Sequence, residues 1–250
     1  MFQINELGYK IVTQNGHGHS SRKAGLNKTE NLDALLEHLR KDLRETAKSK
    51  FSPLNLERGQ FIFFDGDPAS SLYLVESGVA EANVIHGDGK VYIFHFLFPC
   101  DVLGEGIIYG QEVYPFSAVI REDALLWKIS KGDLFPLLEA DQAFREHLVE
   151  IVGRKLDHSY AKARCIAGER VERRVACILL KSVDETGIED CGERVMPQLT
   201  NRDISGLIGS TEETVSRVMS RLKKENVISI KDKQLVVLDR EALMKYLDSI

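Results

Sequence analysis

Short apolar runs separated by turn residues fill the middle of the chain, and this pattern predicts β-strands. Glycine and aspartate occupy the breaks, and Gly87-Asp88-Gly89, between two alternating runs, is a strong hairpin signal. Regular strand spacing of this kind is typical of a β-sandwich or β-roll. We therefore expect a β-rich domain over residues 51–140. The predicted strands are Phe61–Phe64, Leu72–Val75, Val79–Ile85, Val91–Phe98, Ser117–Ile120 and Ala124–Ile129.

Leucines at helical spacing precede this domain. They predict one amphipathic helix over Asn31–Lys48, whose apolar face would cover the β-rich domain. Residues 13–29 are polar and contain glycine, so we expect a flexible link there. Residues 1–50 are thus interpreted as an N-terminal extension.

A second helical pattern covers residues 141–168. Apolar and small residues recur alternately after three and four positions, as in a coiled-coil seam. We interpret the segment as a dimerisation helix that ends at Gly168, a plausible hinge. The alternative is a helix packed only on its own β-rich domain. The predicted dimer interface consists of Val149, Val152, Leu156, Ser159, Ala163 and Ile166.

Residues 169–250 have the pattern of a winged helix-turn-helix. Thr200 is a good N-cap, Asp203 completes a capping-box pattern, and Gly209 permits a sharp turn. A hairpin over residues 227–238 and a closing helix over residues 240–247 would follow. The second helix of the pair would face inward with Val215, Val218, Met219 and Leu222.

The outward face of that helix carries side chains suited to the DNA major groove. Arg217 can donate to O6 and N7 of guanine, Glu213 can accept from N4 of cytosine, and Ser216 can reach a base edge. The competing interpretation is a solvated helix face with a Glu213–Arg217 ion pair. The cap, the turn glycine and the wing favour DNA binding. The expected phosphate contacts are Thr200, Thr211, Arg221, Lys223 and Lys233.

The distribution of charge agrees with this hypothesis. The chain of 250 residues has a net charge of −5, with 33 basic and 38 acidic residues. Between Thr214 and Lys233, by contrast, six basic residues stand against two acidic ones. A local basic stripe is what phosphate contact requires, while overall acidity disfavours nonspecific coating of nucleic acid.

Composition also excludes several classes of protein. We expect no membrane span, because no apolar run approaches 18 residues, and no secretory signal at the N-terminus. We therefore expect a cytoplasmic protein. The cysteines are Cys100, Cys165, Cys177 and Cys191, without C-x-x-C spacing, and we interpret them as structural thiols. No metal site is expected; His17-Gly18-His19 is too short a motif for one.

The segment from Arg58 to Glu105 resembles the β-roll of the CRP/FNR transcription regulators. Gly59, Gly66, Gly78, Gly89 and Gly104 stand as in that family, and the helix-turn-helix follows in the expected order, so the resemblance runs from about Leu54 to the C-terminus. The resemblance implies an α+β chain with a β-roll of cyclic-nucleotide-binding type, a long dimer helix and a C-terminal winged helix-turn-helix. It implies a homodimer on a palindromic operator, with RNA polymerase as the expected protein partner.

The same resemblance places an effector pocket at Gly104, Glu105, Phe116 and Ser117. Family members that bind cyclic nucleotides carry an Arg at the position of Phe116, where it clamps the phosphate. Cyclic AMP is therefore not expected as the effector. The apolar runs expected inside the roll include Ile93 and Phe96. A pocket without a fixed cation should prefer a neutral or apolar-bodied ligand, or bind nothing and sense otherwise. The clustered cysteines of iron–sulfur FNR proteins are absent from the sequence. The cofactor is thus unknown, and haem or another small ligand stays open.

Three functional classes compete. The preferred one is a transcription regulator, and Glu213-x-x-Ser216-Arg217 resembles the FNR-type recognition pattern, which implies TTGAT half-sites rather than the TGTGA of CRP-type members. The alternative is a cyclic-nucleotide-responsive regulator or signalling module. An enzyme of the cupin type is not expected, since His86 and His95 lack the spacing of a metal-ligand set.

Overall fold

The computed structural model describes residues 30–87, 89–167, 170–184, 199–231 and 234–248. Several sequence predictions fall outside these ranges: the link over residues 13–29, the hinge at Gly168, the phosphate contact at Lys233, and Cys191.

Two short helices open the described chain, where one longer helix was expected. They are α1, Glu30–Glu37, and α2, Lys41–Lys48. The prediction of a single helix was wrong because Arg40 has an extended backbone, with φ −52° and ψ 139°. Its amide donates to Asp141 Oδ2 at 2.7 Å, which ties the break to a later helix. The leucine face packs into the core of the roll, as predicted, through Leu32, Leu35, Leu36 and Leu39.

The β-roll is a six-stranded antiparallel sheet. Strands β1, β6, β3 and β4 follow one another in that order, β2 pairs with β6, and β5 pairs with β3. A 3-10 helix at Glu105–Tyr109 follows β5. The strands are β1 Ser52–Leu56, β2 Phe61–Phe63, β3 Ser71–Ile85, β4 Val91–Leu97, β5 Val102–Leu103 and β6 Ser117–Ser130.

Strands β3 and β6 are each longer than predicted, because each joins two runs that the sequence analysis treated as separate strands. Ser77-Gly78 interrupts the apolar pattern but lies inside β3, where the pairing with β6 shifts register. Gly78 has φ +83°, and a Cβ there would lie 2.3 Å from the carbonyl oxygen of Asp123. The residue therefore forms a bulge that only glycine fits, and β3 continues beyond it.

Two helices follow the roll. They are α3, Lys131–Ala140, and α4, Gln142–Ile166. Ser130 caps α3, and Asp141 caps α4 by accepting from the amide of Phe144 at 3.1 Å. Phe144 and Leu148 of α4 are buried in the core of the roll. One face of α4 thus covers its own roll.

The C-terminal domain is a winged helix-turn-helix, as predicted. Its wing pairs Ile228 with Val237 and Lys231 with Gln234 in an antiparallel hairpin. Its core is shared with the roll, because Val79, Ile93, Phe96 and Phe98 pack with residues of the C-terminal helices. The elements are α5 Val171–Asp184, α6 Asn201–Ile208, α7 Glu212–Lys224, β7 Ile228–Lys231, β8 Gln234–Val237 and α8 Arg240–Asp248.

Candidate DNA-binding surface and effector cluster

The start of α6 is fixed by a capping box. Thr200 Oγ1 accepts from the amide of Asp203 at 3.1 Å, and Asp203 Oδ2 accepts from the amide of Thr200 at 2.9 Å. Both hydrogen bonds satisfy amides that a helix start would leave without partners. Thr200, predicted as a phosphate contact, is exposed, and its hydroxyl already serves this cap.

A tight turn then sets α7 against α6. Gly209 closes α6 in the left-handed conformation, with φ 63° and ψ 48°. Thr211 caps α7, because its Oγ1 accepts from the amide of Thr214 at 3.3 Å. Thr211 is exposed at the N-terminus of α7, where a phosphate would also meet free backbone amides.

Helix α7 has an exposed polar face and a buried apolar face, as the sequence predicts. Glu213 and Arg217 are exposed, and Ser216 is half-buried between them. The guanidinium of Arg217 lies 3.3 Å from Thr214 Oγ1, so it is held along the helix by a weak contact that a base edge can replace. The inward residues are buried: Val215, Val218, Met219 and Leu222.

The predicted phosphate contacts have different surroundings. Lys223 is exposed at the C-terminal end of α7. Arg221 is already engaged, since it pairs with Glu172 of α5 at 3.2 Å and lies 5.8 Å from the ring centroid of Tyr246. Arg221 must therefore exchange or share Glu172 to contact a phosphate. A hollow on the same surface is lined by Glu172, Thr214, Arg217, Val218 and Arg221.

The predicted effector residues lie in the roll, and one of them, Glu105, contacts α4. Gly104 is left-handed at φ +79°, and a Cβ there would lie 2.5 Å from the carbonyl oxygen of Ser71. Glu105 pairs with Lys155 of α4 at 2.8 Å. The second carboxylate oxygen of Glu105, Oε2, is buried and has no hydrogen-bond partner among the described residues.

The ammonium group of Lys155 is therefore a fixed cation beside Glu105, where the sequence predicted none. Lys155 also donates to the carbonyl oxygen of Val102. A second lysine, Lys162, donates to the carbonyl oxygen of Phe94 at 2.7 Å and lies over the ring of Tyr92. Neither lysine was predicted, because only the apolar and small residues of α4 were assigned to an interface. Their helical spacing from buried Leu148 could have revealed a second, roll-facing side.

Phe116 stands in an aromatic surrounding. Its ring centroid lies 5.8 Å from that of Phe63, 5.9 Å from that of Phe94 and 6.4 Å from that of His95. Burial, reinforced by Lys155 and Lys162, lowers the pKa of His95 to about 3. His95 Nε2 is buried without a hydrogen-bond partner among the described residues. We call Glu105, Lys155, His95 and Phe116 the effector cluster.

Two further observations concern this pocket. The Oγ of Ser117 accepts from the amide of Asp65 at 3.0 Å, which leaves its O–H able to donate to a ligand. Ile93 and Phe96 were expected inside the roll, but both pack against the C-terminal domain. The register shift between His95 and Ile93 explains the second point, because one extra residue in β4 puts Ile93 and Phe96 on the same face of this edge strand.

The predicted dimer seam is the outer face of α4. Val149 and Leu156 are 56% and 49% exposed, and Tyr160 beside them is 60% exposed. Ser159 and Ala163 are exposed too, while Val152 and Ile166 are half-buried. An apolar stripe beside the roll-facing side is thus bare in the single chain.

The cysteines differ from the predicted structural thiols. Cys165 of α4 and Cys177 of α5 form a disulfide, twelve residues apart in sequence, and Cys100 is disulfide-bonded as well. Sequence reasoning missed the pair because it looked for short motifs, whereas two helices bring these residues together. Among the described residues no group of three or more His, Cys, Asp or Glu side chains could hold a metal ion. No described helix is long and apolar enough to cross a membrane.

Known proteins match this architecture along most of the chain. A model of the cyclic nucleotide-binding domain matches residues 53–141, and one of the Crp-like helix-turn-helix domain matches residues 173–246. An anaerobic regulatory protein of Bacillus subtilis is 25% identical over 206 residues, covering 82% of this chain and 87% of that protein. A cyclic AMP receptor protein of Thermus thermophilus is 27% identical over 186 residues, covering 74% and 83%.

Solved structures share the fold. FixK2 from Bradyrhizobium japonicum superposes with a TM-score of 0.68 at 21% identity, covering 78% of this chain and 96% of that one. The β-roll and the exposed helix-turn-helix define a DNA-binding transcription regulator. The matches assign it further: the chain belongs to the CRP/FNR family. Regulators of this family are not enzymes; they bind DNA and typically dimerise.

Proposed function

We propose that this protein is a cytoplasmic homodimer that binds an FNR-like inverted repeat. The observation that carries the proposal is the exposed face of α7, where Glu213 and Arg217 point outward above a buried apolar face. Arg217 would donate to a guanine, Glu213 would accept from a cytosine, and Ser216 would complete the base contacts. Thr200, Thr211, Arg221, Lys223 and Lys233 would contact phosphates.

Dimerisation would use the bare stripe on α4. Pairing of two α4 helices would bury Val149, Leu156 and Tyr160, which are exposed in the single chain. A two-fold dimer places two α7 helices about one DNA turn apart, so the operator should be an inverted repeat. In this arrangement residues 51–140 would be the sensor domain, 141–168 the dimerisation helix and 169–250 the DNA-binding domain, and RNA polymerase would be the protein partner.

The operator is tested by selecting oligonucleotides bound by the full-length protein. We expect enrichment of TTGAT half-sites in inverted repeat. A matched selection with the Glu213→Ala, Arg217→Ala variant should lose that preference while retaining salt-dependent binding. Enrichment of TGTGA repeats would contradict the proposed operator, and absence of any enriched sequence would contradict sequence-specific binding.

The signal would act at the effector cluster and is proposed to be something other than cyclic AMP. Phe116 offers no guanidinium for a phosphate, and the ammonium of Lys155 is already paired with Glu105. A cyclic-nucleotide-responsive regulator is the second candidate, because buried Glu105 Oε2 could accept a ribose hydroxyl.

Calorimetry separates the two candidates. We expect no micromolar binding of cyclic AMP or cyclic GMP to the purified protein. Micromolar binding of either nucleotide, accompanied by tighter operator binding, would establish the second candidate instead. The absorption spectrum and native mass of protein purified without oxygen test for haem or another bound ligand.

A further inference from the structure

The Cys165–Cys177 disulfide connects two parts of the chain with different tasks. Cys165 lies in the last turn of α4, the helix that carries the predicted dimer seam. Cys177 lies within α5, beside Val175, Ala176 and Leu179 of the C-terminal core. Both cysteines are half-buried, so small reagents can reach them. The bond therefore links the dimerisation helix to the DNA-binding domain.

We propose that this cysteine pair is a redox switch, in which oxidation by a low-molecular-weight disulfide increases affinity for the operator. The inference rests on the proposed function, because it assumes operator binding in the cytoplasm. Disulfides in that compartment are usually transient and catalytic or redox-sensing rather than permanent. A pair that joins two domains is well placed to be sensing, because its two states constrain those domains differently.

The chemistry is two thiol–disulfide exchanges. The thiolate of one cysteine attacks the small disulfide, which forms a mixed disulfide and releases one small thiolate. The second cysteine, after losing its proton, attacks the protein sulfur of the mixed disulfide and releases the second small thiolate. The protein dithiol is oxidised by two electrons, the small disulfide is reduced to two thiols, and the two protons from the cysteines end on those thiols.

The bond can influence DNA binding because α5 is fastened to both helices of the helix-turn-helix. Arg174 of α5 donates to the carbonyl oxygen of Ile208, at the end of α6, at 2.8 Å. Glu172 of α5 pairs with Arg221 of α7 at 3.2 Å. A constraint on α5 therefore also restricts α6 and α7.

The direction of the effect follows from the bonded arrangement. With the disulfide formed, Glu213 and Arg217 of α7 are exposed and face outward. The oxidised state thus holds the DNA-binding domain with its base-contacting residues presented. Reduction removes the covalent link and leaves only the shared core and the Arg121–Asp203 contact to hold the domain. A domain held less tightly samples more orientations, so only a fraction of its population is in the orientation that binds the operator.

The test uses a full-length Cys100→Ser, Cys191→Ser parent, which keeps only the proposed pair. The parent is equilibrated with glutathione or with glutathione disulfide. Mass spectrometry then measures the fraction of the protein that carries the Cys165–Cys177 bond. Fluorescence anisotropy at fixed salt then measures affinity for the inverted repeat recovered by the selection experiment. We expect oxidised parent to bind roughly fivefold more tightly or better, in the range usual for coupled sites.

Cys165→Ser and Cys177→Ser in the same background are the matched controls, and both should bind alike in the two buffers. Equal or weaker binding by the oxidised parent would overturn the inference, as would failure of the bond to form with glutathione disulfide. If the parent and both controls bind no selected DNA in either buffer, the proposed function itself fails, and the inference fails with it.

Discussion

Arg217 and Lys223 lie on the same helix but are expected to make different contacts with DNA. Arg217→Ala should remove a bidentate contact to one base, at a cost of about 1–3 kcal/mol at that position. Lys223→Ala should weaken binding to all sequences alike and lower the salt slope by about one. Titration of operator and single-mismatch DNA at several salt concentrations measures both quantities. Equal loss of specificity in the two variants would mean that α7 docks differently.

His95 is expected to make stability depend on pH. Its pKa is lowered to about 3 by burial and by Lys155, Lys162 and His158, whereas in the unfolded chain it is about 6.5. As the pH falls from about 6.5 towards 3, the unfolded state binds a proton at His95 that the folded state does not bind, so stability is lost. Urea unfolding at about pH 7 and pH 5 should show a smaller loss for His95→Asn than for the parent.

The matched control for this measurement is His86→Asn, because His86 is exposed in the hairpin turn. Its pH dependence should follow that of the parent. Asp141 does not contribute to the difference between pH 7 and pH 5. Hydrogen bonds from the backbone amides of Arg40 and Phe144 lower its pKa below the usual value, so its contribution is lost only at lower pH. An unchanged slope in His95→Asn would contradict the role given to His95.

The roles of residues on a regular helix could be predicted from the sequence, but contacts between residues far apart in the chain could not. The capping box of Thr200 and Asp203 and the inward and outward faces of α7 were predicted, because both depend on local spacing. The pairing of Glu105 with Lys155 joins residues fifty positions apart. Nothing in the local pattern of either residue specifies the other.

The long helix α4 has two faces with different partners. One face packs on the roll through Phe144 and Leu148, and the adjacent face is bare at Val149 and Leu156. The three–four alternation in the sequence detected the bare face, which is the predicted dimer seam. It missed the roll-facing lysines, because a heptad pattern describes only one side of a helix.

Leu156→Glu tests the bare face. A carboxylate at the centre of a dimer seam would be buried without a partner, so we expect a monomer at micromolar concentration. Operator affinity should then fall by roughly a hundredfold, because the two half-sites are no longer bound together. Sedimentation velocity and anisotropy measure the two effects. Ala143→Glu, exposed on the same helix but off the seam, should stay dimeric; a dimeric Leu156→Glu protein would contradict the assignment.

The C-terminal domain is held to the roll by a three-residue ionic contact. Arg121 of β6 donates to Glu81 Oε2 at 2.9 Å and to Asp203 Oδ1 at 2.7 Å. Both carboxylates are 3% exposed. Asp203 also belongs to the capping box of α6, so the same side chain orders a helix start and joins two domains.

Arg121→Met should leave two buried carboxylates without their counter-ion. We expect a loss of about 3 kcal/mol in the free energy of unfolding, as for other broken buried pairs. Denaturant titration measures it. Arg40→Met is the control, because its partner Asp42 is largely exposed and the pair should contribute less than about 1 kcal/mol. A loss for Arg121→Met no larger than the control would show that the contact contributes little.

The order of domains followed from sequence patterns, but their contact did not. Alternating runs and helical periods report which face of an element is apolar, not which neighbour covers it. Ile93 and Phe96 were therefore expected inside the roll, although they cover the C-terminal helices. Arg121 and Asp203 lie 82 positions apart, which puts their pairing beyond any local pattern.

The core shared by β4 and the C-terminal helices has a consequence for how the protein can be dissected. A fragment that starts at α5 would lack Val79, Ile93, Phe96 and Phe98, and would expose the apolar surfaces of α6 that they cover. The contact between α6 and β4 is close at Gly206, since a Cβ there would lie 3.0 Å from the side chain of Ile93. The two halves should therefore melt as one cooperative unit.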